Sequence, residues 1–355
     1  MSDALVYQGP RDLRLESRER PAPSRGEVVV CVLACGICGT DLRIRNGDHP
    51  KFPPGVMRVP GHEVAATVCA VGAGVSGLAE GDYVFIAPNI GCGKCSACLA
   101  GRENLCLNFE AVGITLDGGF AEYLTVPSGA VQRGNILQAP ADIEPGALTV
   151  VEPLAAVLRG QKACRTAPGD FVVVCGAGPI GLLHVLAAKG AGAGNVLVSE
   201  PGQMRREQAL ATGADHAVDP TATDLTEEVM LRSDGLGADV VIVATPLPVA
   251  QAAALELCAL GGRVNYFGGL PSGHSRVEID ANLIHYRELV VTGTTGCTVQ
   301  DCREALELVA SGRIDTRPLI TARFPLSAAA QAFAAAAGGK ELKVVIEPCR
   351  SKPHS

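Results

Sequence analysis

Residues 171–181, FVVVCGAGPIG, constrain the fold of this 355-residue chain more than any other stretch. Five apolar residues in a row predict a strand buried on both faces. Gly176, Gly178 and Gly181 follow at GxGxxG spacing and open the apolar helical run 180–189. Each glycine has its own task. Gly176 permits a tight turn, Gly178 lets a pyrophosphate approach the backbone, and Gly181 lets helix and strand pack closely. Pro179 and Ile180 begin the helix, whose unpaired N–H groups would face the phosphates. Alone, the motif is also an ordinary glycine turn of an α/β sheet. Here the strand, the helix and a following acid are all in place.

The alternation continues with strands predicted at 195–199, 239–244, 262–267 and 288–293 and helices at 204–212 and 249–259. That grammar predicts a parallel, doubly wound sheet. Glu200 ends the strand 195–199, where an acid holds the adenosine ribose hydroxyls and repels a 2′-phosphate, favouring NAD over NADP. Arg205 and Arg206 follow, and a guanidinium there either accepts a 2′-phosphate or covers the adenine, which keeps NADP as the lesser reading.

The first 150 residues read differently. Short apolar runs at 28–33, 64–71 and 83–87 alternate with Gly/Pro/Asp turns, predicting a β-rich region. After Gly296 come a helix at 299–311, the segment 318–321, an alanine-rich helix at 328–337, a closing strand at 342–346 and a frayed tail at 350–355. A net charge of −7 without a run of Lys or Arg argues against nucleic-acid or anionic-membrane partners. Charges interrupt the N-terminal residues before any apolar h-region, so no signal peptide is read. The most apolar stretch, 171–188, contains three glycines, a proline and His184 and is not a membrane span. A cytoplasmic location is expected. Fourteen cysteines in such a chain point to metal ligands and buried thiols rather than a disulfide framework.

Cys92, Cys95, Cys98 and Cys106 are spaced CxxCxxCx7C. Each CxxC brings two sulfurs to one ion from a tight turn, and the fourth thiolate completes a tetrahedron at about 2.3 Å from zinc. Four protein ligands leave no open position, so this zinc is structural; the usual ferredoxin spacings differ. A second constellation is more scattered. Cys38 closes the run Cys31, Cys35, Cys38; Gly61-His62-Glu63 follows a proline-rich loop; Val151-Glu152-Pro153 ends the β-rich part. A lone His–Glu pair is usually a surface pair. Joined by a cysteine and a second carboxylate, it makes a zinc site with a position left for water or substrate.

The stretches GICGTD, GHE, VEPLA, GAGPIG, NLIHYREL and PLITARFPL occur in an order that resembles the zinc-dependent medium-chain dehydrogenase/reductase (alcohol dehydrogenase) superfamily. The resemblance spans nearly the whole chain and is strongest to the sorbitol (polyol) and threonine dehydrogenase branch. It implies an α/β protein of two domains. A GroES-like β-rich catalytic domain would take 1–155 and 296–355 and carry a structural-zinc lobe at 89–108. A Rossmann NAD(P)-binding domain with the doubly wound parallel sheet would take 156–295.

The resemblance also implies roles. Cys38 and His62 would ligate a catalytic zinc with Glu63 or Glu152, giving two zinc ions per chain. Thr40 would take the substrate proton, Asp41 would steady the zinc loop, and Gly268, Gly269 and Thr295 would line the nicotinamide. Zinc would lower the pKa of a substrate hydroxyl, hydride would pass to nicotinamide, and the proton would leave through Thr40 and a ribose hydroxyl. Cys35 falls outside that ligand pattern and Cys31 lies in a strand, so both read as buried small hydrophobes rather than half of a redox pair.

Four positions depart from the branch. Arg43 stands where threonine dehydrogenase-like sequences have histidine, with His49 as a loop alternative. Arg159 follows the Glu-Pro where HisGly is common, Gly296 aligns near a sorbitol-binding arginine, and Ala66 replaces a common glycine. The expected reaction is NAD-dependent interconversion of a secondary alcohol and a ketone on a polyol, sugar alcohol, cyclitol or aminocyclitol. L-Threonine or a short diol is the nearest rival substrate, and a noncatalytic zinc and nucleotide binder the rival class. A zinc-free reductase of the superfamily would lack the ligands. A homo-oligomer, tetramer or dimer, is expected by analogy.

Overall fold

Strand Val28–Ile37 is buried at all ten positions because it has neighbours on every side. It pairs antiparallel with Glu63–Val71, Tyr123–Val126 and Lys343–Glu347. A run as apolar as VVVCVLACGI suits no other place. In this computed structural model, residues 1–271 and 273–349 are described, so the tail expected to fray at 350–355 lies outside the described residues. The chain divides into two compact units, Met1–Ala155 with the segment from Gly296 on, and Ala156–Thr295.

The first unit is built on a seven-stranded sheet ordered 320–325, 343–347, 28–37, 63–71, 83–86, 136–138, with 123–126 also beside 28–37. Val30, Val32, Val64, Val84, Phe120 and Phe333 belong to one core, and the two phenylalanine rings meet edge-on at 5.6 Å. The register does the functional work. Gly36 lies opposite Glu63, so the residues just beyond the paired ends, Cys38 and His62, are brought together.

The second unit holds six parallel strands ordered 216–218, 195–199, 171–175, 238–243, 258–266, 290–293. Numbered along the chain this is 3-2-1-4-5-6, the Rossmann order, so the fold class is as expected. The boundary between one helix and the next strand differs by more than two residues. The helix predicted at 249–259 ends at Ala253, and the strand predicted to begin at 262 begins at Cys258. The alanines favour helix, but Leu255, Leu257 and Cys258 are drawn into the core, and Cys258 pairs with Ala238. Tertiary pairing overrides propensity there. Strand 216–218 and helices Leu225–Leu231 and Ala281–Tyr286 were too short to read from periodicity. Asp224 and Asp280 cap those two helices. Among the described residues no helix is long and apolar enough to cross a membrane.

Helix Pro179–Gly190, which follows the glycine turn, carries a fully buried His184. Gln161 Nε2 lies 3.0 Å from its Nδ1, and Phe267 packs edge-on at 4.6 Å. Burial pushes the imidazole down to about 3. An unfolded histidine titrates near 6.5, so between these values the unfolded chain binds a proton that the folded unit refuses. Stability is therefore full above about pH 6.5 and falls by roughly 1.4 kcal/mol per pH unit as acid is added. His184→Met is expected to flatten the pH dependence of denaturant unfolding between pH 6 and 4; equal slopes would contradict this.

Candidate active site and metal centres

Cys38 is the N-cap of helix Gly39–Asn46. Its sulfur accepts Thr40 N–H at 3.2 Å, and its own N–H donates to Asp41 Oδ2 at 2.9 Å. A helix N-terminus favours a negative sulfur, but burial outweighs it and raises the Cys38 thiol. Across the strand ends, His62 Nε2 stands 3.3 Å from Cys38 Sγ, and His62 Nδ1 faces Asp41 Oδ1 at 3.8 Å. Zinc bound tetrahedrally by one thiolate and one imidazole holds those two atoms about 3.6 Å apart, so the pair fits the ion. Burial would push His62 down, but Cys38 and Asp41 outweigh it and hold the imidazole well above its ordinary value. The pocket is made for a cation.

Glu63 opens its strand with no exposed surface. Gly36 opposite must be glycine, because a Cβ there would come 1.9 Å from Glu63 Oε2. Glu152 sits in the first turn of helix Val151–Ala163, and burial raises its carboxyl. Potential ligand atoms of His62, Glu63 and Glu152 lie within 4.8 Å of one another, as do those of Cys38, Asp41 and His62. His62 is thus shared by two donor sets, and both glutamates are adjacent to it. Thr40 is half-buried one residue into the helix.

Two neighbours escaped the sequence reading. Lys343 Nζ is buried 2.5 Å from the Glu63 carboxylate and also donates to Ile37 O at 3.4 Å. The signal was a lysine at the head of the apolar strand 343–347. Cys297 Sγ lies 3.7 Å from Glu152 Oε1, beside Gly296, whose own φ is +58°. Arg43 is exposed and His49 half-buried; burial and then Arg43 push the His49 imidazole down. Cys35 lies wholly in the core.

The four-cysteine lobe gathers as its spacing requires. Cys95 caps helix Ser96–Leu99, which carries Cys98, and Cys106 follows the turn Glu103–Leu105. Sulfur separations are 3.5 Å for Cys95–Cys98, 3.8 Å for Cys95–Cys106 and 4.0 Å for Cys92–Cys98. Four thiolates on zinc stand about 3.8 Å apart, so this set fits as well. Backbone N–H groups of Lys94 and Cys95 pull Cys92 down to about 6. Gly91 cannot carry a side chain, since its Cβ would meet Cys98 Sγ at 2.6 Å.

In the second unit the glycines behave as steric arguments require. Gly176 has φ +103°, and a Cβ at Gly181 would lie 1.9 Å from Gly176 O. Gly178 caps helix Pro179–Gly190 and faces open space. Glu200 is buried at the end of its strand and accepts Ala177 N–H at 2.9 Å and Gly202 N–H at 3.0 Å. Its carboxylate thus braces the glycine turn, a duty unforeseen in the sequence. Arg206 is held by Asp219 at 3.1 Å and by Glu200 O at 2.9 Å. Gly268 follows the strand 258–266, and its Cβ would meet Thr245 O at 2.5 Å; Gly269 faces open space, and Thr295 follows the strand 290–293. Gly176, Glu200, Gly268, Gly269 and Thr295 all follow carboxyl ends of parallel strands, where such sheets bind ligands.

The chain matches known proteins along its length. Residues 24–136 match the family described as alcohol dehydrogenase GroES-like domain, and 179–311 match zinc-binding dehydrogenase. L-Threonine 3-dehydrogenase of Pyrococcus furiosus is 38% identical over 92% of both chains. L-Galactonate-5-dehydrogenase of Escherichia coli K12 is 33% identical over 93% of this chain and 94% of its own. A Sinorhizobium meliloti 1021 protein solved with NADP bound superposes with a TM-score of 0.91 at 35% identity, covering 98% of this chain and 99% of that one. Matches to both halves, and identity sustained over nine-tenths of the length, make this chain a member of the zinc-binding dehydrogenase family, with an alcohol dehydrogenase GroES-like domain.

Proposed function

We propose that the protein is a zinc-dependent NAD(H) dehydrogenase interconverting a secondary alcohol and a ketone on a polyol, sugar alcohol, cyclitol or aminocyclitol. The observation that carries this reading is the corner where potential ligand atoms of Cys38, His62, Glu63 and Glu152 gather about the His62 ring, with Thr40 two residues past Cys38. Cys38, His62 and one of the two glutamates would hold the catalytic zinc, and Cys92, Cys95, Cys98 and Cys106 the structural one. When bound, the catalytic ion is a Lewis acid that lowers the pKa of a substrate hydroxyl.

The chain's residues do the rest. Asp41 holds the turn through Cys38 N–H and faces His62 Nδ1, which leaves Nε2 beside Cys38 Sγ, where the two atoms would hold the ion. Thr40 accepts the hydroxyl proton and passes it towards solvent. Gly176, Gly178 and the helix start at Pro179 would seat the pyrophosphate, Glu200 would hold the adenosine ribose, Arg205 would cover the adenine, and Gly268, Gly269 and Thr295 would flank the nicotinamide. The bound nicotinamide would supply the hydride acceptor for the carbinol carbon, which needs the reacting atoms about 3–3.5 Å apart. The alcohol would lose two electrons and two hydrogens, as a hydride to NAD and a proton to solvent.

L-Threonine is the second reading, supported by likeness to the Pyrococcus furiosus enzyme. Arg43 weakens it, since it is exposed where that branch has histidine. Assembly as a homo-oligomer is proposed as well. Strand Val290–Gly293 is an edge with Val290 48% exposed, able to pair with a second copy.

A panel of polyols, cyclitols, aminocyclitols, short diols and L-threonine, each offered with NAD and with NADP and followed at the reduced-nicotinamide absorbance, tests the reading. The expected result is turnover of a polyhydroxylated substrate with at least a tenfold kcat/KM preference for NAD. Turnover of threonine alone moves the assignment to the second reading. A preference for NADP would overturn the role given to Glu200, and silence with the zinc-loaded enzyme would revive a binding protein.

A further inference from the structure

Three thiols meet where the last described residues return to the first unit's sheet. Cys349 follows strand Lys343–Glu347 by two residues, and its N–H donates to Val32 O at 3.2 Å. Its sulfur lies 3.3 Å from Glu122 O and 2.7 Å from Cys31 Sγ. The other thiol pairs, Cys95–Cys98 and Cys297–Cys302 among them, stand 3.5 and 3.6 Å apart. Cys31 and Cys349 have therefore closed more than half of the distance to a bond of about 2.05 Å.

A third sulfur lies on the other side. The pairing of strands 28–37 and 63–71 slips between Val29–Ala70 and Val30–Val68, leaving Cys69 as the extra residue of a bulge. Bulges re-aim side chains, and burial and then Cys31 raise the Cys69 thiol to about 11. Cys31 is 7% exposed, whereas Cys349 is half-buried and open to a small molecule. None of the three belongs to either metal site.

We propose that Cys31 and Cys349 form a reversible disulfide, a modification site whose co-reactant is a peroxide. The Cys349 thiol gives up its proton and the thiolate attacks the O–O bond, giving a sulfenic acid and a hydroxide that takes up that proton as one water. Cys31 sulfur then displaces the sulfenic oxygen, forming the S–S bond and releasing a second water. Two thiols are oxidised and one hydrogen peroxide is reduced to two waters. A small thiol reverses the step by exchange.

The bond joins residues 318 apart in sequence, so it removes much freedom from the unfolded chain. It also staples strand 343–347, which brings Lys343 to Glu63, onto strand 28–37, which leads to Cys38.

The test treats the full-length, zinc-loaded protein with hydrogen peroxide, blocks the remaining thiols, digests with trypsin and maps cross-links by mass spectrometry. The expected product joins the peptide 344–350 to the peptide 26–43 through Cys349 and Cys31. It disappears on reduction, and Tm rises by several degrees on oxidation. Cys349→Ser and, independently, Cys31→Val should abolish both the cross-link and the rise while dehydrogenase activity persists. Cys349 remaining free while other thiols oxidise, Cys31 joined to Cys69 instead, or Cys349 ending as a sulfonic acid would each overturn the proposal.

Discussion

Cys38→Ser is expected to lower kcat/KM by at least about 10³-fold and to reduce the zinc content from two ions per chain to one. The magnitude follows from removing a Lewis acid that contributes several kcal/mol, at 1.36 kcal/mol for each tenfold of rate. Serine keeps the size of the side chain and can still accept the Thr40 N–H, so the helix cap survives. It cannot offer a thiolate, because its hydroxyl stays protonated at neutral pH. His62 would then face the remaining donors, two glutamates of which one is already bound by Lys343. The ion that remains should be the one held by Cys92, Cys95, Cys98 and Cys106. Elemental analysis beside steady-state kinetics reads both effects on one sample. Two zinc ions with full activity would remove Cys38 from the site; two with lost activity would make it a catalytic residue but not a ligand.

The fold was legible where chemistry is local. FVVVCGAGPIG announces a buried strand, an obligatory positive-φ turn and a helix, and the structure supplies the reason in the 1.9 Å that would separate a Gly181 Cβ from Gly176 O. The four-cysteine lobe was equally plain, since its ligands lie within fifteen consecutive residues. What sequence hides is register and distance. Cys38 and His62 are 24 residues apart and meet because Gly36 pairs with Glu63. That pairing depends on two bulged, continuously apolar strands whose register periodicity does not fix. The helix expected at 249–259 stops at Ala253 for a related reason, since Leu255 and Leu257 turn into the core before the strand opens at Cys258. Cys31 read as a small hydrophobe, yet its neighbour is 318 residues away. Lys343 was invisible as a partner of Glu63, because 280 residues separate them.

Lys343→Met is expected to destabilise the first unit by about 3–5 kcal/mol, a shift in Tm on the order of 10 °C. The Glu63 carboxylate has no exposed surface, and Gly36 is pressed against it too closely for any side chain to shield it. The ammonium of Lys343 is the cation placed on it, so methionine leaves a buried charge uncompensated. Burial by itself would push the lysine down, but Glu63 and Cys38 outweigh it and hold Lys343 above its ordinary value. The sign follows. A raised folded pKa contributes stability that is complete below about pH 10.4, the unfolded value, and is lost as pH rises through the folded one. Wild type and variant should therefore differ by a constant amount from pH 6 to 9 and converge at more alkaline pH. A double variant with Glu63→Gln separates charge from packing. If the loss comes from the orphaned carboxylate, the second change recovers much of it, whereas additive losses would place the effect in the lysine's methylene packing. Metal affinity should move the other way. Glu63 freed of its ammonium is a better anionic donor beside His62, so the variant should bind the catalytic zinc at least as tightly while unfolding more easily. Weaker binding would mean that Lys343 orients Glu63 towards the ion rather than competing for it.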